Sequence, residues 1–358
     1  MNVVNQNRKE LKILITGGAG FLGTRIVEEL LAPEALVPVA GIIVFDNKDS
    51  IRLGDKKVRY VKGDVRNYDQ IQNACAGVDV VIHAAAIIDW GTKSREEILS
   101  VNFTGTENVI RACKEAGVRY LVYTGSLDAV FTGRPLKDID ESQPYPEKHQ
   151  TVYCLSKYLS EMAVKELDHG APEWVILRPS DIYGEGDPYH VDSLINMAKA
   201  GFYVRLGNGR SKCQHVYAGN MAHAHVLALK ALLEKKKGVA GSIYFITDGP
   251  GTNFFSFFDP IVAGAGYRIF PKNLWLPRGL AYTIGGISEF FAWLIRPFRR
   301  YYPKFSRFAV TYTCTDFTFS SKKAQNELGF RPKYSHAEAL GRTVEYYRRQ
   351  REAVDGSQ

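Results

Sequence analysis

The segment Thr16-Gly17-Gly18-Ala19-Gly20-Phe21-Leu22-Gly23 follows an apolar run, Lys12 to Thr16, and opens an amphipathic one that reaches Leu31. No other feature restricts the fold as much. A strand that turns through glycines into a helix needs a tight turn, a backbone open to close approach, and a helix N-terminus with unpaired N–H groups. That combination suits a dinucleotide pyrophosphate, and it predicts an α/β chain with a doubly wound parallel sheet. Asp46 ends the next strand pattern, where a carboxylate accepts from the adenosine 2′- and 3′-hydroxyls and repels a 2′-phosphate. The expected cofactor is therefore NAD rather than NADP.

The first half of the chain repeats this alternation. Strands are expected at Lys12 to Thr16, Ile42 to Asp46, Arg59 to Gly63, Val80 to Ala84, Tyr120 to Thr124 and Trp174 to Arg178. Helical patterns fill intervals, notably Gly20 to Leu31, Arg95 to Ala116 and Thr151 to Leu167. After Pro179 the pattern breaks into loops punctuated by Gly184, Gly186, Pro188, Gly207 and Gly209, with short strands expected at His215 to Tyr217 and Ile243 to Ile246. The expected division is a Rossmann-like dinucleotide domain over residues 10–183 and a smaller C-terminal substrate lobe over 184–350, with a helix over 219–233 returning to the first domain. At 358 residues and 45% hydrophobic composition, the chain can bury a core across both parts.

Tyr153 and Lys157 fall four residues apart within the pattern at Thr151 to Leu167, so phenol and ammonium share one helix face. An unperturbed phenol, with a pKa of ~10, is a poor base at neutral pH, and an adjacent ammonium favours its phenolate. A proton carrier beside a nicotinamide is the equipment for moving a hydride onto or off a carbinol carbon. The expected activity is that of an oxidoreductase. An isolated Tyr-x-x-x-Lys arises often by chance; its weight comes from the ordered set with the glycine turn, Asp46, Asn102 and Ser126.

With these residues in place, the chain resembles the extended short-chain dehydrogenase/reductase superfamily over nearly its whole length. The glycine motif, the turn Gly63-Asp64-Val65, the strand end His83-Ala84-Ala85-Ala86 and Asn102 in Val101-Asn102-Phe103-x-Gly105-Thr106 carry the resemblance. Arg178-Pro179-Ser180-x-Ile182-Tyr183-Gly184, His215-Val216-Tyr217-Ala218-Gly219-Asn220 and the ending Phe317-Thr318-Phe319-Ser320-x-Lys322-Lys323-Ala324 look most like its branch of 3β-hydroxysteroid dehydrogenases and sterol 4-carboxylate 3-dehydrogenases. The resemblance implies that Ser126 hydrogen-bonds the substrate oxygen, that Asn102 holds a water of a proton relay near Lys157, and that Lys157 also bonds the nicotinamide ribose. It implies cofactor contacts at Gly17, Gly18, Gly20, Phe21, Leu22, Gly23, Asp46, Asn47, Asp64, Val65, Ala84, Ala85, Ala86, Thr124, Tyr153, Lys157, Pro179 and Ile182. The substrate implied is a lipophilic alcohol, the 3β-hydroxyl of a steroid or sterol or the matching ketone.

Two departures matter. Gly125 stands where a serine or threonine is common, leaving Thr124 as a second candidate for bonding the substrate oxygen. Asp128 lies two residues past Ser126, where the branch often has a glutamate that serves as proton shuttle for a steroid double-bond shift, so isomerase activity is a further expectation. The competing readings are a nucleotide-sugar epimerase or dehydratase on the same scaffold, disfavoured by the apolar C-terminal segment, and a non-catalytic dinucleotide sensor, which would be expected to lose Tyr153 or Lys157.

The segment Gly279 to Ile295 is apolar yet holds Glu289, and it is short for a bilayer core of ~30 Å. On a helix, Leu280, Ile284, Ile287, Phe291, Leu294 and Ile295 make one face while Gly285, Ser288, Glu289 and Ala292 oppose it. The leading reading is a helix over 279–298 lying in a membrane interface, with a lid over the substrate pocket and a true span as alternatives. Part of the net charge of +8 sits just beyond it, in Arg296, Arg299, Arg300, Lys304 and Arg307, among aromatic residues that suit lipid head groups better than nucleic acid. The polar start, Met1 to Glu10, lacks the apolar core of a secretory signal, so the cytosolic face of a membrane is expected, that of the endoplasmic reticulum in a eukaryote. A homodimer is a candidate assembly. Cys75, Cys113, Cys154, Cys213 and Cys314 form no metal or disulfide spacing. His83 is read as packing at a strand end, and His215, His223 and His225 have no carboxylate at ligand spacing, so no metal is expected.

Overall fold

The computed structural model describes residues 9–48, 54–89, 93–167, 170, 172–295 and 305–355. Its centre is a seven-stranded parallel sheet. From one edge the strands run Val58–Lys62, Val39–Asp46, Leu11–Thr16, Val80–His83, Tyr120–Thr124, Glu173–Pro179 and Ser242–Ile246. Helices cover both faces, so the central strands are nearly continuous apolar runs. Val80–His83 and Tyr120–Thr124 are buried at every position. Chain order reverses between Leu11–Thr16 and Val80–His83, which opens a crevice at their carboxyl ends.

Two elements after Pro179 return to this sheet. The helix Ala218–Leu233 is apolar on nearly every side and lies against the helix Phe21–Leu31 and the sheet, since a helix without a polar face must be covered all round. Ser242–Ile246, expected as a short strand at Ile243 to Ile246 beyond the break at Pro179, pairs in parallel with Glu173–Pro179 and forms the seventh strand of the main sheet. The remaining residues past Pro179 build a second core around Tyr183, Leu194, Tyr203, Phe254, Phe258 and Val310.

The pattern at Arg95 to Ala116 contains a π-helical turn, Ser100–Thr104, between α-helices Arg95–Leu99 and Gly105–Ala116. The Asn102 carbonyl accepts hydrogen bonds from the Thr106 and Ser160 hydroxyls at 2.5 and 2.8 Å, interactions that accompany the local widening of the helix.

The apolar C-terminal segment forms the helix Arg278–Ile295; residues 296–304, with Arg296, Arg299, Arg300 and Lys304, lie outside the described residues. Ala281, Gly285 and Ala292 face the protein, and a Cβ on Gly285 would sit 2.9 Å from the Arg307 backbone nitrogen. Glu289 accepts from the Arg307 backbone N–H at 2.8 Å and from its Nε at 2.7 Å. On the other side Leu280, Ile287, Phe290, Phe291, Trp293 and Leu294 are each more than half exposed. No described helix is long and apolar enough to cross a membrane. None of this helix lines the main cleft, whereas Phe308 and Tyr312 of the following helix Arg307–Thr313 do.

Candidate active site

A cleft of about 500 Å³ occupies the crevice at the strand ends. At one end the first strand turns through Gly17, whose φ of +69° is a left-handed value that favours glycine. A Cβ there would lie 2.7 Å from the Ala85 Cα, and one on Gly23 would collide with the Gly17 carbonyl. The backbone is thus bare where a phosphate group would approach the start of Phe21–Leu31. Asp46 is held from both sides, Oδ2 accepting from the Ala19 N–H and Oδ1 from the Lys48 N–H, each at 3.0 Å. Each oxygen keeps a lone pair for a ribose hydroxyl. These features fit a dinucleotide.

Of the expected cofactor contacts, Gly17, Gly20, Phe21, Leu22, Gly23, Asp46, Asn47, Asp64, Val65, Ala84, Ala85, Ala86, Thr124, Tyr153, Lys157, Pro179 and Ile182 all line this cleft, and Ser126 joins them. Gly18 does not: it faces the sheet, where a Cβ would press on the Ile15 carbonyl at 2.9 Å and on Val44. Its role is close packing of turn on strand. Asn102 is also behind the wall. Its Oδ1 accepts from the Ile87 N–H at 2.7 Å while its Nδ2 donates to the Ile87 carbonyl and to Ser156 Oγ, both at 2.9 Å. The amide thereby ties the loop after Val80–His83 to the helix Val152–Lys165.

That helix starts at Thr151, whose hydroxyl accepts from the Cys154 N–H, and it presents Tyr153 and Lys157 to the cleft. Lys157 Nζ donates to the Thr124 carbonyl at 2.9 Å, and burial lowers its pKa to about 8 against the pull of Glu161 and Asp128. Burial, followed by the charge of Asp128, pushes the Tyr153 phenol well above its ordinary value, while the neighbouring Ser126 hydroxyl pulls it down. The phenol therefore carries its proton at neutral pH in the protein alone.

Thr124 is corrected as a donor to substrate. Its hydroxyl is paired with His225 Nε2 at 2.8 Å, on the core side of the strand. Gly125 has a physical reason: a Cβ there would stand 2.5 Å from Glu161 Oε1 and 2.9 Å from Ile176 Cγ2. Glu161 cannot yield easily, because it is fully buried, bonded by Arg178 through Nε and Nη2 (2.6 Å) and by the Tyr145 hydroxyl. Gly125→Ser should destabilise the fold by about 1–3 kcal/mol through overpacking. An unchanged denaturation midpoint would mean that the carboxylate moves aside.

His215 and His223 find carboxylates from distant parts of the chain, which local spacing does not reveal, whereas His225 pairs with Thr124 and the Met221 carbonyl. His215 Nδ1 is 3.8 Å from Asp181, and His223 Nδ1 is 2.8 Å from Glu29. Asp181, Cys213 and His215 form one buried cluster, in which Cys213 Sγ lies 3.6 Å from His215 Nε2 and Asp181 Oδ2 lies 3.8 Å from His215 Nδ1. His83 bridges the Thr16 and Thr106 hydroxyls at 2.6 and 3.0 Å, and burial, then Lys157, lowers its pKa to about 3.

The substrate-side wall contains residues that local sequence reading passed over: Asp181, His190, Phe308 and Tyr312. Tyr312 donates to Asp181 at 2.6 Å. Burial opposes a charge on His190, but Asp181 and then Asp187 outweigh it and raise its pKa to about 9. Asp181 could have been found, since it occupies the open position of the segment Arg178-Pro179-Ser180-x-Ile182. Tyr312 had no local signal, lying 131 residues from its partner.

The model of the 3-beta hydroxysteroid dehydrogenase/isomerase family matches residues 14–278. Short-chain dehydrogenase/reductase family 42E member 1 of Danio rerio is 34% identical over 343 residues, 91% of this chain and 86% of that protein. The 3 beta-hydroxysteroid dehydrogenase type 7 of Homo sapiens is 33% identical, covering 94% of this chain and 95% of its own. Among solved structures, a dTDP-glucose 4,6-dehydratase from Streptomyces venezuelae superposes with a TM-score of 0.73 at 22% identity, over 96% of this chain and 98% of that one, a likeness of fold. The extent of these matches leaves no ambiguity of family: the chain belongs to the 3-beta hydroxysteroid dehydrogenase/isomerase family.

Proposed function

We propose that this chain is an NAD-dependent oxidoreductase that interconverts a 3β-hydroxyl and a ketone on a steroid or sterol-like lipid. One observation carries the reading: the glycine cradle with Asp46 and the group Tyr153, Lys157 and Ser126 open into a single cleft. Gly17, Gly20 and Gly23 would bear the pyrophosphate, Asp46 the adenosine ribose, and Lys157 the nicotinamide ribose. NAD, when bound, supplies the acceptor or donor of the hydride. Ser126 would hold the substrate oxygen and Tyr153 would exchange its proton. We assign residues 10–183, with the helix and strand that return to the sheet, to the cofactor and the rest of 184–350 to the substrate. Membership of the family and the steroid dehydrogenases among the relatives support the substrate class; the sugar-nucleotide enzymes share only the fold.

Asp128 lines the same cleft, and burial followed by the nearby Asp181 raises its pKa to about 7. That environment favours a second activity, a double-bond shift with Asp128 as proton shuttle. The outward apolar face of Arg278–Ile295 would rest on the cytosolic surface of a membrane, from which a lipophilic substrate is delivered.

The deciding experiment screens purified protein and NAD against 3β-hydroxysteroids, sterols and nucleotide sugars. Oxidation of a 3β-hydroxysteroid is expected; turnover of nucleotide sugars alone would sink the reading. In the same assay NAD should outperform NADP. Asp46→Ala should weaken NAD by roughly tenfold to a hundredfold, the range for losing hydrogen bonds to a charged group, and should narrow the preference. Equal efficiency with both cofactors in the native enzyme would refute the role of Asp46.

A further inference from the structure

We propose that Glu289 is a positioning residue for the substrate: from the outward helix Arg278–Ile295 it clasps the start of Arg307–Thr313, the helix that supplies Phe308 and Tyr312 to the substrate-side wall. This rests on the alcohol-oxidising reading above and names a residue that sets the affinity of that site.

A carboxylate stands out on a segment this apolar, and its place on the helix explains it. Ala281, Gly285, Glu289 and Ala292 follow one another at intervals of four, four and three, so they form one stripe along the helix. Ala281, Gly285 and Ala292 are buried, and small side chains there let the next segment come close. A Cβ on Gly285 would stand 2.9 Å from both the Arg307 nitrogen and the Ser306 carbonyl carbon. Glu289 is the long side chain of that stripe. Its Oε1 accepts from the Arg307 backbone N–H at 2.8 Å and its Oε2 from Arg307 Nε at 2.7 Å.

The first N–H groups of a helix have no partner within it, and a negative charge beside them is favoured by the helix dipole. Ser306 Oγ takes the Ala309 N–H at 3.2 Å. Glu289 takes that of Arg307, so the start of the short helix is held from its own chain and from its neighbour. Arg307–Thr313 packs chiefly on Arg278–Ile295, and Val310 and Ala281 belong to the same core. The two helices form one arm, with an exposed apolar face outside and the substrate wall inside.

The clasp lies next to the residues that line the cleft. Phe308 follows Arg307 in sequence, and Tyr312 comes one turn after Phe308. Tyr312 donates to Asp181 at 2.6 Å, and both rings pack on Phe131, with centroids 5.4 Å from Tyr312 and 6.2 Å from Phe308. Tyr312 thus keeps an anchor of its own at the far end of the helix. Phe308, in the first turn, depends on the start of the helix being held. Loss of the carboxylate should release that turn, and substrate then binds only the fraction of molecules in which the wall is formed. Gly17, Gly20, Gly23, Asp46, Tyr153 and Lys157 come from other elements, so cofactor binding and the chemical step should not follow.

The test compares full-length native protein with Glu289→Ala, Glu289→Gln and Arg307→Ala, using NAD with 3β-hydroxysteroids and, in parallel, simple secondary alcohols. In Glu289→Ala, KM for the alcohol should rise roughly fivefold to thirtyfold, the range for charged hydrogen bonds lost at a part-exposed site, with kcat within about twofold and KM for NAD unchanged. Glu289→Gln keeps an acceptor for the backbone N–H and should recover part of the affinity. Arg307→Ala also keeps that N–H and should raise KM by no more than about threefold. A readout without turnover is hydrogen exchange, which in Glu289→Ala should accelerate across Arg307–Thr313 and stay native in the central sheet. The same KM shift on another alcohol class would uphold the clasp while the steroid reading falls. The clasp is overturned if Glu289→Ala keeps the native KM, if kcat and KM for NAD change as much as KM for the alcohol, if Arg307→Ala reproduces the whole effect, or if exchange across Arg307–Thr313 is unaltered.

Discussion

Tyr153→Phe should lower turnover on the order of 10²–10⁴-fold, the contribution typical of a positioned proton carrier, while NAD binding stays close to native. The substitution keeps the ring and removes only the hydroxyl. Tyr153 is buried in the helix Val152–Lys165, so the phenyl group retains its packing and the helix its register. Lys157 keeps its hydrogen bond to the Thr124 carbonyl, and Asp46 keeps both of its backbone donors, so neither end of the cofactor site depends on the lost atom. What disappears is the group proposed to exchange a proton with the substrate oxygen. The measurement is single-substrate kinetics beside a fluorescence titration with NAD. Near-native turnover would mean that the proton is carried elsewhere; loss of NAD binding would mean that the residue is structural.

The parts of this site that are readable from the chain are those carried by short, periodic patterns. The glycine turn announces itself because a tight turn and a close backbone approach demand small residues at fixed offsets. Tyr153 and Lys157 do so because helical spacing alone places them on one face. What escapes is set by distance along the chain. Ile243 to Ile246 reads as a short strand, and only the pairing of Ser242–Ile246 with Glu173–Pro179 shows that it belongs to the main sheet. Gly125 looks like a departure from a pattern until Glu161, 36 residues later, occupies the space of its side chain. Asp181, His190 and Tyr312 come from three separate elements, and their shared wall follows from tertiary packing. The inward turn of Asn102 depends on hydroxyls that capture its carbonyl, a competition invisible to any count of helical periodicity.

The helix Arg278–Ile295 leads to the second large effect: native protein should float with anionic phospholipid vesicles, and Ile287→Asp combined with Phe291→Asp should leave it in the soluble fraction. Ile287 and Phe291 are 51% and 57% exposed, on a face shared with Leu280, Phe290, Trp293 and Leu294. A contiguous exposed apolar surface of this kind marks an interaction site. Arg278 begins the helix, and the sequence just beyond Ile295 adds Arg296, Arg299, Arg300 and Lys304, so this part of the chain carries the cations that head-group binding requires. Each buried apolar side chain contributes about 1.5–3 kcal/mol, so losing two should weaken attachment roughly 10²–10⁴-fold, before the repulsion of two new carboxylates from anionic lipid. The fold should tolerate both changes, because the helix holds to the protein through Ala281, Gly285, Ala292 and Glu289 on its other side. Flotation is therefore paired with NAD titration and a melting curve. If native protein stays soluble, or if the double variant unfolds, the apolar face serves the protein itself or another copy, and the membrane assignment falls while the chemistry of the cleft is untouched.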